Sequence, residues 1–412
     1  MRVLLTNTGP WGTGSGTVAE GVLQEIKKKQ IPVKAFFPDS GFPGQGYEHY
    51  YKSPDVYNIV PFPATYEGVN LYTFPLIIPD PNPRNYNNAW TFKKLNSAEL
   101  RAYFGYLKEE LKKVLDVFKP DVVECQHIWA IDYILHELGY DYICTAHHSD
   151  QMGFIYDERM QEYARESAWK ASYIFAISDF VNKEVQDLYK VEPEKVITIP
   201  NGFDHSTFYA YEANRESILN KHGIENKNIM PIITFCGKVS RTKGVDILLK
   251  ANKILQKEIK ALLIIMGSGE LNNFSDKELE GTSLENVFFL GHRSPQELAD
   301  FHNISTLSVL PSRSEGFGIA ALEAMGCGLP LVVTDAGGLA SFAVGQVVPK
   351  ENPQALAEGI LSILEMPGDS YLDLSEEASK AAKKYSWKSM VDMRMPYYQE
   401  VAYLSQKRRQ GF

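Results

Sequence analysis

Cysteine is scarce in this 412-residue chain: Cys125, Cys144, Cys236 and Cys327 are dispersed, sit beside apolar residues and form no C-x-x-C pair. A disulfide framework and a cysteine-based zinc site are thereby excluded, and buried reduced thiols are expected. Long hydrophobic runs are missing as well; none approaches the roughly 20 residues of a membrane span. Positive charge is in deficit, with Lys+Arg 42 against Asp+Glu 51 and a net charge of -9, which disfavours a nucleic-acid partner. The chain has no H-E-x-x-H, no D-x-D and no G-x-x-x-x-G-K-[ST], so zinc-protease and Walker-type phosphate chemistry are excluded.

What is present is ordinary for a globular protein: 44% hydrophobic and 23% charged residues. The length exceeds one ordinary core and predicts two domains of about 200 residues each. The opening Met1-Arg2-Val3-Leu4-Leu5-Thr6-Asn7 turns polar too early for a signal peptide and reads as the first strand of a cytoplasmic protein. Short β-branched or aromatic runs at 3–5, 33–37, 122–123, 142–144, 173–177 and 196–199 alternate with helical patterns. The alternation restarts at 232–235, 262–266, 287–290, 307–310 and 331–333. Parallel strands with crossover helices produce this rhythm, so two doubly wound α/β sheets in series are predicted. The turn-rich Pro200-Asn201-Gly202-Phe203-Asp204 and the polar stretch 209–228 mark a hinge. Residues 40–95, rich in Pro, Tyr and Asn, break the rhythm and read as an elaborated loop region, not a sheet element.

Two glycine-rich loops follow predicted strands. The first, Gly9-Pro10-Trp11-Gly12-Thr13-Gly14-Ser15-Gly16-Thr17, precedes a helical pattern through Val18, Val22, Leu23 and Ile26. Such a loop lets backbone N–H groups approach a phosphate. Gly12, Gly14 and the acid Asp39 would also suit a dinucleotide, although residue 17 is threonine where the G-x-G-x-x-G fingerprint needs glycine. The second, Gly237-Lys238-Val239-Ser240-Arg241-Thr242-Lys243-Gly244, groups three cations at a strand's carboxyl end, where an anion is expected. Further on, Ser312-Arg313-Ser314-Glu315-Gly316-Phe317-Gly318 and Leu322-Glu323-Ala324-Met325 place two acids eight residues apart around an apolar helix start. An unpaired buried carboxylate costs several kcal/mol, roughly, so Glu323 must be solvated or met by hydroxyls or positive charge.

Taken together with Gly267-Ser268-Gly269-Glu270, Phe289-Leu290-Gly291, Gly328-Leu329-Pro330 and Thr334-Asp335-Ala336-Gly337-Gly338, these segments resemble the retaining GT-B glycosyltransferases of family 4. The resemblance covers the whole second half and, more loosely, the first. It implies an α/β fold of two Rossmann-like doubly wound domains facing a cleft: 1–205 on the acceptor side, 206–386 for the nucleotide sugar, and a C-terminal helix, 387–412, crossing back to the first domain. It implies transfer of a hexosyl group from a nucleotide diphosphate sugar, UDP being the family's commonest choice, to a hydroxyl acceptor with retention. Glu315 is then expected to meet the transferred sugar's hydroxyls and Glu323 the ribose hydroxyls. Gly316, Phe317, Gly318 and Ile319 would offer backbone N–H groups, and Lys238 and Lys243 would bind the diphosphate, with Arg241 and Gly237 beside them. Lys238 stands where the family usually has arginine, which keeps the charge but loses the bidentate fork. Gly16-Thr17 matches the family's glycine pair, His127 a strand-end histidine near the reacting sugar, and His147 the cleft member of His147-His148.

No cofactor and no metal are expected, the nucleotide sugar being a co-substrate. The acceptor is a small molecule, a saccharide or a lipid-linked compound. Membrane association through Lys93, Lys94, Arg101, Lys108, Lys112 and Lys113 is disfavoured, because Glu99, Glu109, Glu110 and Asp116 dilute that charge. The alternatives are an NAD-dependent oxidoreductase and a non-catalytic nucleotide-sugar-binding protein. At the end of the chain, Met390, Val391, Met393, Met395, Tyr397, Tyr398, Val401 and Leu404 are spaced for one helical face, which Pro396 is expected to kink or break.

Overall fold

The computed structural model describes residues 1–11, 14–41, 48–79, 90–225 and 230–409. The chain divides into two compact units: Met1–Gly202 with Trp387–Phe412, and Phe203–Ser386. Gly12, one of the glycines compatible with a dinucleotide, lies outside the described residues.

The first unit holds strands β1 (Val3–Asn7), β2 (Val33–Asp39) and β3 (Tyr57–Pro61), then a small hairpin of β4 (Ala64–Tyr66) and β5 (Val69–Leu71). Strands β6 (Val122–Gln126), β7 (Tyr142–Ala146), β8 (Tyr173–Ala176) and β9 (Val196–Thr198) follow. Its seven-stranded sheet has the order β3-β2-β1-β6-β7-β8-β9, and every pairing in it is parallel. The strand β3 corrects the reading of 40–95 as loop alone. Its sequence, Tyr57-Asn58-Ile59-Val60-Pro61, is short and sits at the sheet edge, where proline is tolerated, so the surrounding turn residues masked it.

The second unit repeats the plan with β10 (Ile232–Cys236), β11 (Leu262–Met266), β12 (Val287–Gly291), β13 (Leu307–Leu310), β14 (Leu331–Thr334) and β15 (Gly345–Val348). Their order is β12-β11-β10-β13-β14-β15. β10, β11, β13 and β14 are buried along their whole length, as expected for a parallel sheet covered on both faces. β15 was not signalled by hydrophobic alternation: Gly345-Gln346-Val347-Val348 is half polar, and parallel pairing with β14 defines it.

In each sheet the strand order reverses once, between β1 and β6 and between β10 and β13. At such a switch point the loops leaving adjacent strands diverge and open a crevice at their carboxyl ends. The segments 8–11, 14–17 and 127–129 therefore meet one crevice, and 237–244 and 311–318 the other.

The C-terminal helix, Trp387–Arg409, packs on the first unit. Gly21 makes room for it: a Cβ there would lie 2.4 Å from the Trp387 ring. The buried stripe is Met390, Val391, Arg394, Tyr398, Val401, Ala402 and Ser405, whereas Met393 and Leu404 face solvent. Counting only apolar residues thus put the stripe partly on the wrong side, because an arginine and a serine belong to it. Pro396 does not end the helix, which runs through it. The proline is exposed, and buried anchors on both sides, Arg394 and Tyr398, hold the helix in line.

Candidate active site

In the second unit the loop after β10 and the loop after β13 are held together by backbone contact. Gly244 adopts a left-handed φ of 71°, and a Cβ there would stand 1.9 Å from the carbonyl oxygen of Pro311. The Arg313 N–H donates to the Thr242 carbonyl at 2.8 Å. The Arg313 guanidinium completes the clamp with two 2.7 Å bonds to Asp246, one of 2.7 Å to Glu351 and one of 2.6 Å to the Arg241 carbonyl. Asp246 is 2% exposed and Arg313 13%, so this pair is shielded from solvent and its bidentate geometry fixes the loop. The Asp246 hydrogen bonds raise the guanidinium's pKa.

This clamp brings Lys243 onto Glu315: Nζ donates to Oε2 at 2.6 Å, and Ser312 Oγ lies 3.4 Å from the same oxygen. The Gly338 N–H donates to the Glu315 carbonyl at 3.1 Å. Lys238 and Gly237 belong to the same loop and are partly exposed. Arg241 is turned elsewhere: its guanidinium, 63% exposed, pairs with Glu278 at 3.1 Å and stands 3.9 Å from Glu351. In this structure two acids outside the loop, Glu278 and Glu351, hold the Arg241 side chain, which was expected beside the cations of the donor loop.

Gly318 caps the helix Ile319–Gly326 with φ 96°; a Cβ there would meet Leu339 at 2.4 Å. The Phe317 side chain stacks on Phe342 at 4.8 Å and approaches Tyr385 at 6.0 Å, so it belongs to the core and leaves only its backbone to a ligand. Glu323 sits at the second turn of that helix, partly buried, and its side chain has no hydrogen bond or ion pair among the described residues. Burial first, and the charge of Asp204 second, push its pKa up to about 7. A carboxylate in that state is a costly group awaiting donors. The same burial raises the nearby thiols of Cys236 and Cys327, and all four cysteines are free and buried.

In the first unit Gly16 is buried at the start of the helix Gly14–Lys28, where a Cβ would lie 3.1 Å from the Trp11 backbone, and Thr17 is exposed. Asp39 is buried and accepts the Ser40 N–H at 2.8 Å. His127 leaves β6 with a left-handed φ of 84°, its N–H donating to the Thr145 carbonyl at 2.8 Å. A non-glycine residue in that region is strained and such strain concentrates at functional sites. Its side chain is buried, which lowers its pKa, and Nδ1 has no hydrogen-bond partner among the described residues.

His147, at the end of β7, brings its ring centroid within 5.1 Å of that of His127, and Nε2 lies 2.7 Å from Gln126 Oε1. His148 turns away to Glu184, with Nδ1 at 2.6 Å from Oε2. The two histidines thus diverge, and the backbone turns between them: His148 has a left-handed φ of 72°, so the extended-chain alternation expected for the pair is not what separates them. Asp150 fixes both histidine loops: one oxygen accepts the His147 N–H at 2.9 Å and the other the Ile128 N–H at 3.0 Å. Asp150 and Arg313 escaped the motif reading. The first carried a weak signal in its position three residues after His147, a capping spacing; the second carried none, because its partner Asp246 lies 67 residues away.

The comparisons agree with this layout. The family described as Glycosyltransferase Family 4 matches residues 13–207, and the one described as Glycosyl transferases group 1 matches residues 214–385. The chain belongs to the group 1, family 4 glycosyltransferases. It is 26% identical over 336 residues to an uncharacterized glycosyltransferase of Methanocaldococcus jannaschii, covering 77% of this chain and 86% of that one. It is 30% identical over 242 residues to a D-inositol 3-phosphate glycosyltransferase of Corynebacterium jeikeium, covering 53% of this chain and 56% of the relative. Among solved structures, Anabaena HepE in complex with UDP-glucose aligns with a TM-score of 0.70 at 16% identity, over 99% of this chain and 100% of that one. The structural likeness establishes the GT-B fold.

Proposed function

We propose that this glycosyltransferase moves a hexosyl group from a UDP-sugar to a hydroxyl acceptor, with retention at the anomeric carbon and without a bound metal. The observation that carries the reading is the Lys243–Glu315 pair at one switch point and, on the helix that follows it, a carboxylate, Glu323, whose side chain has no donor among the described residues. A ribose diol supplies the two hydroxyl donors Glu323 lacks, and a diphosphate supplies the counter-charge for Lys243 and Lys238. Glu315, once Lys243 turns to phosphate, can accept hydroxyls of the sugar. The backbone N–H groups of Gly316, Phe317, Gly318 and Ile319 stand at a helix start, where anions are favoured. HepE, of the same fold, has been captured with UDP-glucose, which supports the choice of donor.

The chemistry asked of the protein is electrostatic. As the bond from the sugar to the diphosphate breaks, negative charge grows on the leaving oxygens and is met by Lys238, Lys243 and loop amides, while a phosphate oxygen takes the acceptor's proton. His127 and His147 are assigned to hydroxyls of the sugar or acceptor. Gly16 and Thr17 are assigned to the donor's side of the first switch point. A calorimetric screen of nucleoside diphosphate sugars, followed by NMR of the product's anomeric proton, tests the reading. UDP-sugar binding and a retained configuration are expected. Binding of nicotinamide dinucleotides in place of nucleotide sugars, or an inverted product, would overturn it.

A further inference from the structure

Glu124 lies in the middle of β6 and is fully buried, as is Arg394 of the C-terminal helix, its ion-pair partner. Tyr398, one helical turn further on, donates its hydroxyl to the other carboxylate oxygen. Thr145 Oγ1 and Gln126 Nε2 each donate to Glu124 Oε1 at 2.7 Å. Four donors thus converge on one carboxylate, two of them from a helix some 270 residues away in sequence.

The chemistry of this cluster fixes groups beyond it. An ion-paired carboxylate only accepts hydrogen bonds, so Gln126 must present its NH2 to Glu124 and its carbonyl oxygen to the other side. A carbonyl also only accepts, and it faces His147 Nε2 at 2.7 Å, so Nε2 must carry the hydrogen. The His147 backbone is pinned separately by Asp150 at 2.9 Å, which fixes where the ring leaves the chain. Burial, then the neighbours His127 and Arg394, hold this imidazole well below the usual histidine range, so it is neutral and Nδ1 keeps its lone pair.

We infer that Glu124 and Gln126 are positioning residues that lock His147 in the Nε2–H tautomer, leaving Nδ1 to accept a hydrogen bond from a substrate hydroxyl. The inference deepens the transferase reading and rests on it for the hydroxyl, while the tautomer follows from the buried network alone. It gives the C-terminal helix a part in the chemistry: Arg394 and Tyr398 keep Glu124 an acceptor, and that dictates which face of Gln126 His147 meets. His147 then orients a hydroxyl without taking its proton, which suits a reaction in which the leaving phosphate receives it.

The test uses the full chain with 15N-labelled histidine, and His147→Gln to assign the resonances. Long-range proton–nitrogen correlation at neutral pH should show His147 Nε2 as the protonated, pyrrole-type nitrogen and Nδ1 as the pyridine type. Gln126→Leu, close in size and uncharged, should yield a mixture of tautomers. The same variant should lower kcat for UDP-glucose hydrolysis roughly tenfold to a hundredfold, a misorientation effect, with the Kd for UDP within about twofold of the parent, the range of a residue outside the nucleotide contacts. Glu124→Gln combined with Arg394→Met, which removes both charges together and can flip its new amide, should loosen the tautomer in the same way. A wild-type Nδ1–H tautomer, an unaltered tautomer in Gln126→Leu, or an unaltered kcat in that variant would overturn the inference. If the wild-type protein neither binds UDP nor hydrolyses UDP-glucose, the donor reading fails instead, and the nitrogen spectra still decide the tautomer.

Discussion

Glu323→Gln should make the protein more stable and a weaker binder at the same time, and both effects follow from one pKa. In the unliganded protein burial and Asp204 push the Glu323 pKa up to about 7, from an ordinary 4.5. Protonation therefore favours the folded state: this contribution is complete below about pH 4.5 and is lost as pH rises to about 7. The loss amounts to about 3 kcal/mol at most, less whatever solvent at this partly exposed group screens. A neutral glutamine escapes it, so the variant should melt above the parent at pH 8 and not at pH 4. Binding runs the other way, because ribose hydroxyls donate best to the ionised carboxylate. At pH 6 about one parent molecule in eleven carries that charge, so UDP affinity should be about tenfold lower than at pH 8, and at pH 7 about half a proton should be released on binding. Glu323→Gln should lose about 1 to 2 kcal/mol of affinity at pH 8, the increment of a charged hydrogen bond, and show none of this pH dependence. Calorimetry in two buffers of different ionisation enthalpy counts the protons. The phosphate titration of UDP is common to both proteins and cancels in the comparison. Parent and variant with the same pH profile and the same proton count would refute the ribose assignment.

Glu315→Gln should leave UDP affinity equal or higher, since Lys243 loses its 2.6 Å partner, while transfer falls; calorimetry beside a turnover assay separates the two, and parallel losses would count against the division of roles. Full activity should survive excess EDTA, because the diphosphate charge is met by Lys238, Lys243 and amides; activity lost with chelator and restored by magnesium or manganese contradicts this. Arg394→Met leaves Glu124 buried without its cation, which costs about 3 to 5 kcal/mol, and should lower the melting temperature of the first unit by about 10 °C in calorimetry. Truncation before Trp387 should expose apolar surface to a fluorescent dye, lower the melting temperature and impair transfer more than UDP binding; wild-type stability and turnover would remove the helix from the working enzyme.

Much of this protein was legible along the chain because the governing interactions are local. Parallel strands buried on both faces read as short apolar runs, and Gly244 and Gly318 mark places where no side chain fits, against the Pro311 carbonyl and the Leu339 side chain. The acids Glu315 and Glu323 stood out because carboxylates in an apolar helix start need an explanation. Sequence-local reading failed where a residue's meaning comes from a partner far away. β15 is a strand because β14 lies beside it, and the Arg241 side chain pairs with Glu278 and Glu351, partners that the spacing along 237–244 does not show. Arg394 carried no signal in the apolar spacing of its helix; packing against Glu124 makes it a core residue. Apolar spacing reports the hydrophobic effect, which is additive and local in pattern. The direction of a charged side chain is set by which opposite charge the fold delivers to it, and that the tertiary structure alone decides.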